Sequence, residues 1–156
     1  MEPYQPQFLP SLQQLNTHLL YLLWLEMSET EEYNLQLPLW RSVNNQDQSN
    51  VRCDQNVNWD GWYRFYLGGS SAAIPDYCVA KNRCGTHATL YITQPHPTQI
   101  NEIVTRTVCS NWGSSCCNFP SHTINIKLCP GNFYVYKLAK PSVCHLAYCT
   151  GTAPSF

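Results

Sequence analysis

The chain has 156 residues, a formal net charge of −1, and 12% charged and 13% aromatic residues. This length favours one domain with an extension, and the aromatic content is sufficient for a packed core. The lack of a basic cluster argues against a nucleic-acid partner, and no stretch has the roughly 20 consecutive apolar residues that insertion into a membrane requires.

Residues 1–37 form a segment rich in Gln and Leu, with five Glu and no Lys or Arg. Its apolar run at 19–25 has the length of a short signal-peptide core, but no positive charge precedes it and no small-residue cleavage site follows. Four leucines are spaced as on one face of a helix: Leu12, Leu15, Leu19 and Leu22. We therefore predict an extension at 1–37, either helical or disordered, in a fragment whose export signal is not evident.

Short runs with strand character begin near residue 60 and are separated by turn residues. In the clearest of them, Ile124, Ile126 and Leu128 alternate with polar residues, which predicts a half-buried strand. The turn residues at 130–132 then favour a hairpin-like connection to the next run. The predicted strands are 62–67, 90–92, 103–109, 123–128 and 133–138. They predict a mainly β fold, a small disulfide-rich β-sheet module to which an N-terminal helix can be added.

Nine cysteines lie between Cys53 and Cys149, and none precedes them. Such density is typical of a disulfide scaffold, and disulfides persist in the secretory pathway and outside the cell. We therefore predict a secreted, extracellular module. Eight cysteines can pair in 105 ways, so the spacing leaves the connectivity open. The odd count leaves one thiol that stays reduced, bridges two chains or has lost its partner.

Several sequence motifs surround these cysteines. They are Trp40-Arg-Ser, Trp59-x-Gly-Trp-Tyr-Arg-Phe65, the vicinal pair Cys116-Cys117, and Pro141-Ser-x-Cys-His-Leu-Ala-Tyr-Cys149. Together they resemble the eight- to ten-cysteine extracellular module of the uromodulin family, which includes pancreatic secretory granule glycoprotein 2 and the oncoprotein-induced transcript 3 protein. The resemblance covers about residues 38–150 and leaves 151–156 as a tail.

The resemblance implies a specific set of disulfides. The implied pairs are Cys53–Cys144, Cys78–Cys116, Cys84–Cys149 and Cys109–Cys117. Ten-cysteine members of the family have a further cysteine about where this chain has Leu37, and its partner there matches Cys129. We therefore expect Cys129 to be the cysteine left over from the four pairs. By strand alternation it lies on the polar side, with Asn125 and Lys127.

The resemblance also implies a function without catalysis. In the family the module is a structural spacer and recognition platform in a secreted or membrane-anchored protein, beside EGF-like and zona pellucida domains. Its partner here would be a protein or glycan ligand. Some relatives display mannose-rich glycans as decoys for bacterial adhesins. None of the thirteen Asn in this chain is followed two places on by Ser or Thr, so that role does not transfer.

Metal binding and catalysis are the rival uses of the same residues. Structural zinc usually needs two matched, closely spaced Cys pairs, which the spacing here does not provide. A Cys144–His145 or Cys84–His87 nucleophile would need a free thiolate, yet both cysteines match bridged positions of the family. The carboxylates are scattered, unlike those of a glycosidase or a calcium site. We predict no metal, no cofactor and no catalysis, with a small secreted enzyme or enzyme inhibitor as the alternative.

Aromatic residues concentrate in two of the predicted strands and their flanks. Aromatic side chains favour both cores and interfaces, so these residues suit either role. The binding hypothesis is a carbohydrate-stacking surface, and the alternative is core packing. The residues nominated for the surface are Trp59, Trp62, Tyr134 and Tyr136.

Overall fold

The computed structural model describes residues 17, 19, 32–119 and 122–154. Within these residues it contains nine β-strands and two short 3-10 turns, Leu39–Arg41 and Asp54–Asn56. The strands are β1 (Glu32–Leu37), β2 (Trp62–Leu67), β3 (Ser70–Ala73), β4 (Ala88–Ile92), β5 (Ile103–Asn111), β6 (His122–Cys129), β7 (Phe133–Lys137), β8 (Leu146–Tyr148) and β9 (Gly151–Thr152). The predicted mainly β fold is confirmed.

The strands form one sheet in the order β8-β4-β5-β6-β7-β2-β3-β9, with β1 paired to β2. Strands β4 to β7 are joined to their sequence neighbours as an antiparallel meander. Two pairings are parallel, β1 with β2 and β4 with β8. The described part of the chain has no helix long and apolar enough to cross a membrane.

The core follows the alternation of β6. Ile124, Ile126 and Leu128 are buried, as predicted, together with all five residues of β4. Cys129 points to the other side of β6, yet it is only 2% exposed. Trp62 and Val135 cover it in a smaller apolar cluster. The side predicted as polar is therefore covered at this end of the strand.

The sheet extends beyond the predicted module boundaries. Residues 32–37, assigned to the N-terminal extension by the sequence, form β1 beside β2 in parallel register. Leu37 is 5% exposed and belongs to the main core. At the other end, Gly151–Thr152 lie in the predicted tail but pair with β3 as β9. Apart from Thr17 and Leu19, which are helical, the predicted N-terminal helix lies outside the described residues.

Four disulfides fasten the loops to this sheet. They are Cys53–Cys144, Cys78–Cys116, Cys84–Cys149 and Cys109–Cys117, with Cα–Cα distances between 4.9 and 5.8 Å. These are the pairs that the family resemblance implies. Three of them involve the loops at 78–87 and 112–119. The first of these loops leads into β4 and the second follows β5.

A candidate binding cleft beside Trp112

The four aromatic residues nominated from the sequence do not form an exposed surface. Trp62, Tyr134 and Tyr136 are buried, with exposures of 8%, 6% and 0%. Trp59 is half-buried and packs edge-on against Tyr148, at the margin of the main core. These aromatic side chains therefore pack in or beside the core, which was the alternative to a carbohydrate-stacking surface.

An exposed aromatic residue lies instead at Trp112, directly after β5. Its side chain is 45% exposed, and it forms one wall of a cavity of about 300 Å³. Among the residues that the structure describes, Lys81, Asn82 and His87 line this cavity as well. We refer to Lys81, Asn82, His87 and Trp112 as the Trp112 cleft.

The Trp112 ring is held between two other rings. His87 packs edge-on against it with centroids 5.7 Å apart, and Phe119 packs edge-on at 5.8 Å. His145 in turn packs edge-on against His87 at 5.5 Å. A side chain that is already restrained in this way loses little conformational entropy when a ligand binds.

Two asparagines fix the backbone of the Trp112 loop. Asn118 Oδ1 accepts a hydrogen bond from the Trp112 N–H at 2.8 Å, and Asn111 Oδ1 accepts one from the Gly113 N–H at 2.7 Å. Asn111 also donates through Nδ2 to the Val79 carbonyl at 2.9 Å. This amide therefore joins the two loops that form the cleft.

Gly113 allows Lys81 to lie across the loop. Its φ of +107° is in the region that favours glycine, and an added Cβ would lie 2.6 Å from Lys81 Cδ and 2.9 Å from Lys81 Nζ. The Lys81 ammonium group consequently lies beside the backbone that carries Trp112. The cleft thus combines a cation with an exposed aromatic face, and no acidic side chain lines it among the residues that the structure describes.

Covalent links restrain the same two loops. Cys78–Cys116 connects them to each other, and Cys109–Cys117 closes the Trp112 loop onto β5. The Tyr91 hydroxyl of β4 also donates a hydrogen bond to the Cys116 carbonyl. The Trp112 cleft is therefore a preformed surface on a cross-linked frame.

A second cavity, of about 310 Å³, contains the acid–base pair Asp76 and His96. His96 Nδ1 lies 3.8 Å from Asp76 Oδ2, while Nε2 is hydrogen-bonded to the Tyr136 hydroxyl at 2.9 Å. That hydroxyl oxygen accepts the Ile74 N–H at 3.2 Å. Burial lowers the pKa of His96, although the Asp76 carboxylate opposes the change.

The candidate nucleophiles and a further histidine, His122, take part in contacts within the fold. Cys84 and Cys144, the candidate nucleophiles, are both in disulfides. His122 Nε2 is 2.6 Å from the Tyr148 hydroxyl, and burial lowers the pKa of this histidine. Across the residues that the structure describes, no three His, Cys, Asp or Glu side chains gather as metal ligands do.

Comparison with known proteins identifies the family of the domain that carries the cleft. The family of domains described as "Uromodulin-like" matches residues 63–150. The chain belongs to this family. It is 40% identical to uromodulin of Rattus norvegicus over 111 residues, covering 71% of this chain and 16% of that protein. It is 41% identical to pancreatic secretory granule membrane major glycoprotein GP2 of Canis lupus familiaris over 110 residues, covering 70% and 21% respectively.

The uromodulin-like module is thus a part of much longer relatives, and this chain spans about a fifth of their length or less. Its four disulfides require an oxidising compartment, so it is an extracellular module of the uromodulin-like type. All residues of the Trp112 cleft fall within the matched range. Sequence reasoning missed them, although Asn111-Trp-Gly-Ser-Ser before the vicinal cysteines is a turn-rich stretch that exposes an aromatic residue.

Proposed function

We propose that the uromodulin-like module is a non-catalytic recognition platform and rigid spacer within a longer secreted or membrane-anchored protein. The observation that carries the proposal is the Trp112 cleft, an exposed aromatic face beside hydrogen-bond donors on a cross-linked frame. Rigid aromatic anchors are the residues that most often dominate binding energy. The partner is a protein or glycan ligand that contacts this cleft.

The use of buried polar groups supports a role without catalysis. Arg41 and Asp54 form a buried ion pair, and His122 is hydrogen-bonded to Tyr148. The Thr86 hydroxyl lies within hydrogen-bond distance of backbone carbonyls in two other segments, Arg52 at 3.0 Å and His145 at 2.7 Å. Each of these groups joins separate parts of the chain, which is what a spacer between neighbouring domains requires. We expect EGF-like and zona pellucida domains as those neighbours.

One observation favours the alternative, a small secreted enzyme. Asp76 and His96 line a cavity and His96 has a perturbed pKa, a combination typical of acid–base sites. However, the third member of this chain of contacts, Tyr136, is fully buried, so its hydroxyl cannot attack a substrate. We therefore assign the network to the packing of β7 and the segment at 74–76 against the loop at 94–97.

The proposal is tested by binding measurements with the purified module. The labelled module would be applied to a glycan array and to a panel of extracellular proteins, in parallel with Trp112→Ala. Tyr77→Ala is the matched control, since Tyr77 is an aromatic residue of similar exposure that lines the other cavity. We expect saturable binding that Trp112→Ala removes and Tyr77→Ala retains, with melting temperatures unchanged.

Two results would contradict the proposal. One is the absence of any ligand whose binding depends on Trp112. The other is hydrolysis or group transfer by the purified module that His96→Ala eliminates, because this would establish the enzyme instead. His145→Ala serves as a control for the second result, since the His145 side chain is exposed and does not line the cavity of Asp76 and His96.

A further inference from the structure

We infer that the ligand of the Trp112 cleft is an acidic sugar, a pyranose that carries a carboxylate, at the end of a glycan. This inference rests on the proposed function and names the ligand class of that site. It follows from three properties of the cleft: its aromatic wall, the positive charge and hydrogen-bond donors of its described residues, and its size.

The aromatic wall suits a sugar ring. One face of a pyranose presents C–H groups, which pack on the electron-rich face of an aromatic ring. Trp112 offers the largest aromatic surface of any residue type and is 45% exposed. Its edge contacts with His87 and Phe119 restrain the ring before the ligand arrives.

The polar groups of the cleft select for an anion. Lys81 carries three N–H donors and no acceptor, while Asn82 and His87 each supply a donor. Hydrogen bonds between an ammonium and a carboxylate are about twice as strong as those between neutral groups. Because none of the described Asp or Glu residues lines the cleft, a carboxylate on the sugar would be the partner of Lys81.

The Lys81 side chain packs against the loop that carries Trp112. The Lys81 side chain lies against Gly113, where there is no Cβ to displace it. The next residue but one, Arg83, adds a second positive charge to the same loop. Lys81 and Trp112 thus line the same cavity, so that one sugar can contact the ring through its C–H face and the ammonium through its carboxylate.

The size of the cleft favours a terminal sugar over an extended polymer. A cavity of about 300 Å³ is at the lower end of the range for small-molecule sites, about 300–1,000 Å³. It can take one or two sugar rings. An acidic peptide would also satisfy Lys81, but it has no flat C–H face for Trp112, so it is treated below as an outcome of the test.

The test is titration of the purified module with N-acetylneuraminic acid and glucuronic acid, followed by NMR or calorimetry. The methyl ester of each sugar and neutral galactose are the comparison ligands. We expect saturable binding of the acids, and a loss of about tenfold or more in affinity for the esters, since a charge-assisted hydrogen bond is removed. An acidic peptide of similar charge should bind less tightly than the sugars.

Two variants measure separately what Lys81 and Trp112 contribute to the binding affinity. Lys81→Met should weaken binding of the acids to the level of their esters and leave ester binding unchanged. Lys137→Met is the control, because Lys137 is exposed on β7 and does not line the cleft. Trp112→Ala should abolish binding of acids and esters alike.

The outcomes separate this inference from the proposed function. If neutral galactose or an acidic peptide binds as tightly as the acids in a manner that depends on Trp112, the acidic-sugar inference is overturned while the platform stands. Unchanged affinity of Lys81→Met for the acids also overturns the inference alone. If neither acidic sugar binds, the inference alone is overturned; if in addition no ligand of the glycan array or the protein panel binds in a manner that depends on Trp112, both are overturned.

Discussion

The Arg41 guanidinium and the Asp54 carboxylate form a buried bidentate ion pair. Nη1 donates to Oδ2 at 2.7 Å and Nη2 donates to Oδ1 at 2.6 Å, with the side chains 6% and 1% exposed. Asp54 also accepts the Tyr148 N–H at 2.8 Å, and Arg41 donates to the Tyr148 carbonyl at 3.2 Å. The Trp40 ring covers the guanidinium at 4.2 Å. The pair thereby fastens two loops to β8.

Asp54→Ala should strongly destabilise the module. The substitution leaves the Arg41 charge buried without its partner, and breaking a buried pair in this way costs about 3–5 kcal/mol. The free energy of unfolding, measured by urea denaturation, should fall by that amount. Asp60→Ala is the control, since Asp60 is exposed and should change stability by about 0.5 kcal/mol or less. Equal effects of the two variants would contradict a structural role for the pair.

Local patterns in the sequence were sufficient to predict several strands but not what covers each face. The alternation in β6 correctly placed Ile124, Ile126 and Leu128 in the core. The same reasoning placed Cys129 on a polar side, because alternation separates two faces without revealing that Trp62 packs over the second one. For the same reason, alternation could not decide whether Trp62 and Tyr136 lie on a surface or in the core.

Contacts between distant segments were beyond the reach of local patterns. Arg41, Asp54 and Tyr148 are far apart in sequence, and nothing in their spacing predicts that they meet. The Trp112 cleft was missed because its walls come from two loops that disulfides bring together. β1 was missed because its polar residues, such as Asn34 and Gln36, do not give a strand signal as strong as those of β6 or β7.

Leu37→Ala tests whether β1 is an integral part of the sheet. Leu37 is 5% exposed in the main core, and truncation of a buried leucine costs about 2–5 kcal/mol. The melting temperature should fall accordingly. Leu39→Ala provides the comparison, since Leu39 is 67% exposed only two residues later and its truncation should have little effect. If the two variants melt at the same temperature as the parent, β1 does not contribute to the core.

The stability of the module should depend on pH through two histidines, the buried His96 and the half-buried His122. Burial lowers the pKa values of His96 and His122 in the folded state, while the unfolded chain keeps them near the ordinary value of about 6.5. As the pH falls through that value, the unfolded state therefore binds more protons than the folded state. The free energy of unfolding should be highest above about pH 7 and should decrease as the pH falls below about 6.5.

Urea denaturation at about pH 7.5 and about pH 5.5, at constant salt, measures this dependence over the range where a histidine titrates. His122→Gln removes one of the two responsible groups and should reduce the loss of stability on acidification. His145→Gln, at an exposed position, should leave the loss unchanged. If the parent module is equally stable or more stable at the lower pH, the pKa values of His96 and His122 do not govern its stability in this range.

Cys78→Ser should prevent secretion of the module from cells. The Cys78–Cys116 disulfide closes a loop with a sequence separation of 38, and loss of a native disulfide from a small secreted domain costs about 2–5 kcal/mol. The substitution also leaves the Cys116 thiol exposed in an oxidising compartment, where it can pair incorrectly. We expect intracellular retention and disulfide-linked aggregates on non-reducing gels.

The double variant Cys78→Ser/Cys116→Ser separates the two effects of losing this bridge. It lacks the stranded thiol, so its aggregates should not be disulfide-linked, while its loss of stability should equal that of the single variant. If the double variant is secreted and Cys78→Ser is not, mispairing of Cys116 causes the retention. If both are retained, the lost cross-link between the loops at 78–87 and 112–119 is the cause. Secretion of Cys78→Ser at the level of the parent would show that this disulfide is dispensable for folding, and that the frame of the Trp112 cleft does not depend on it.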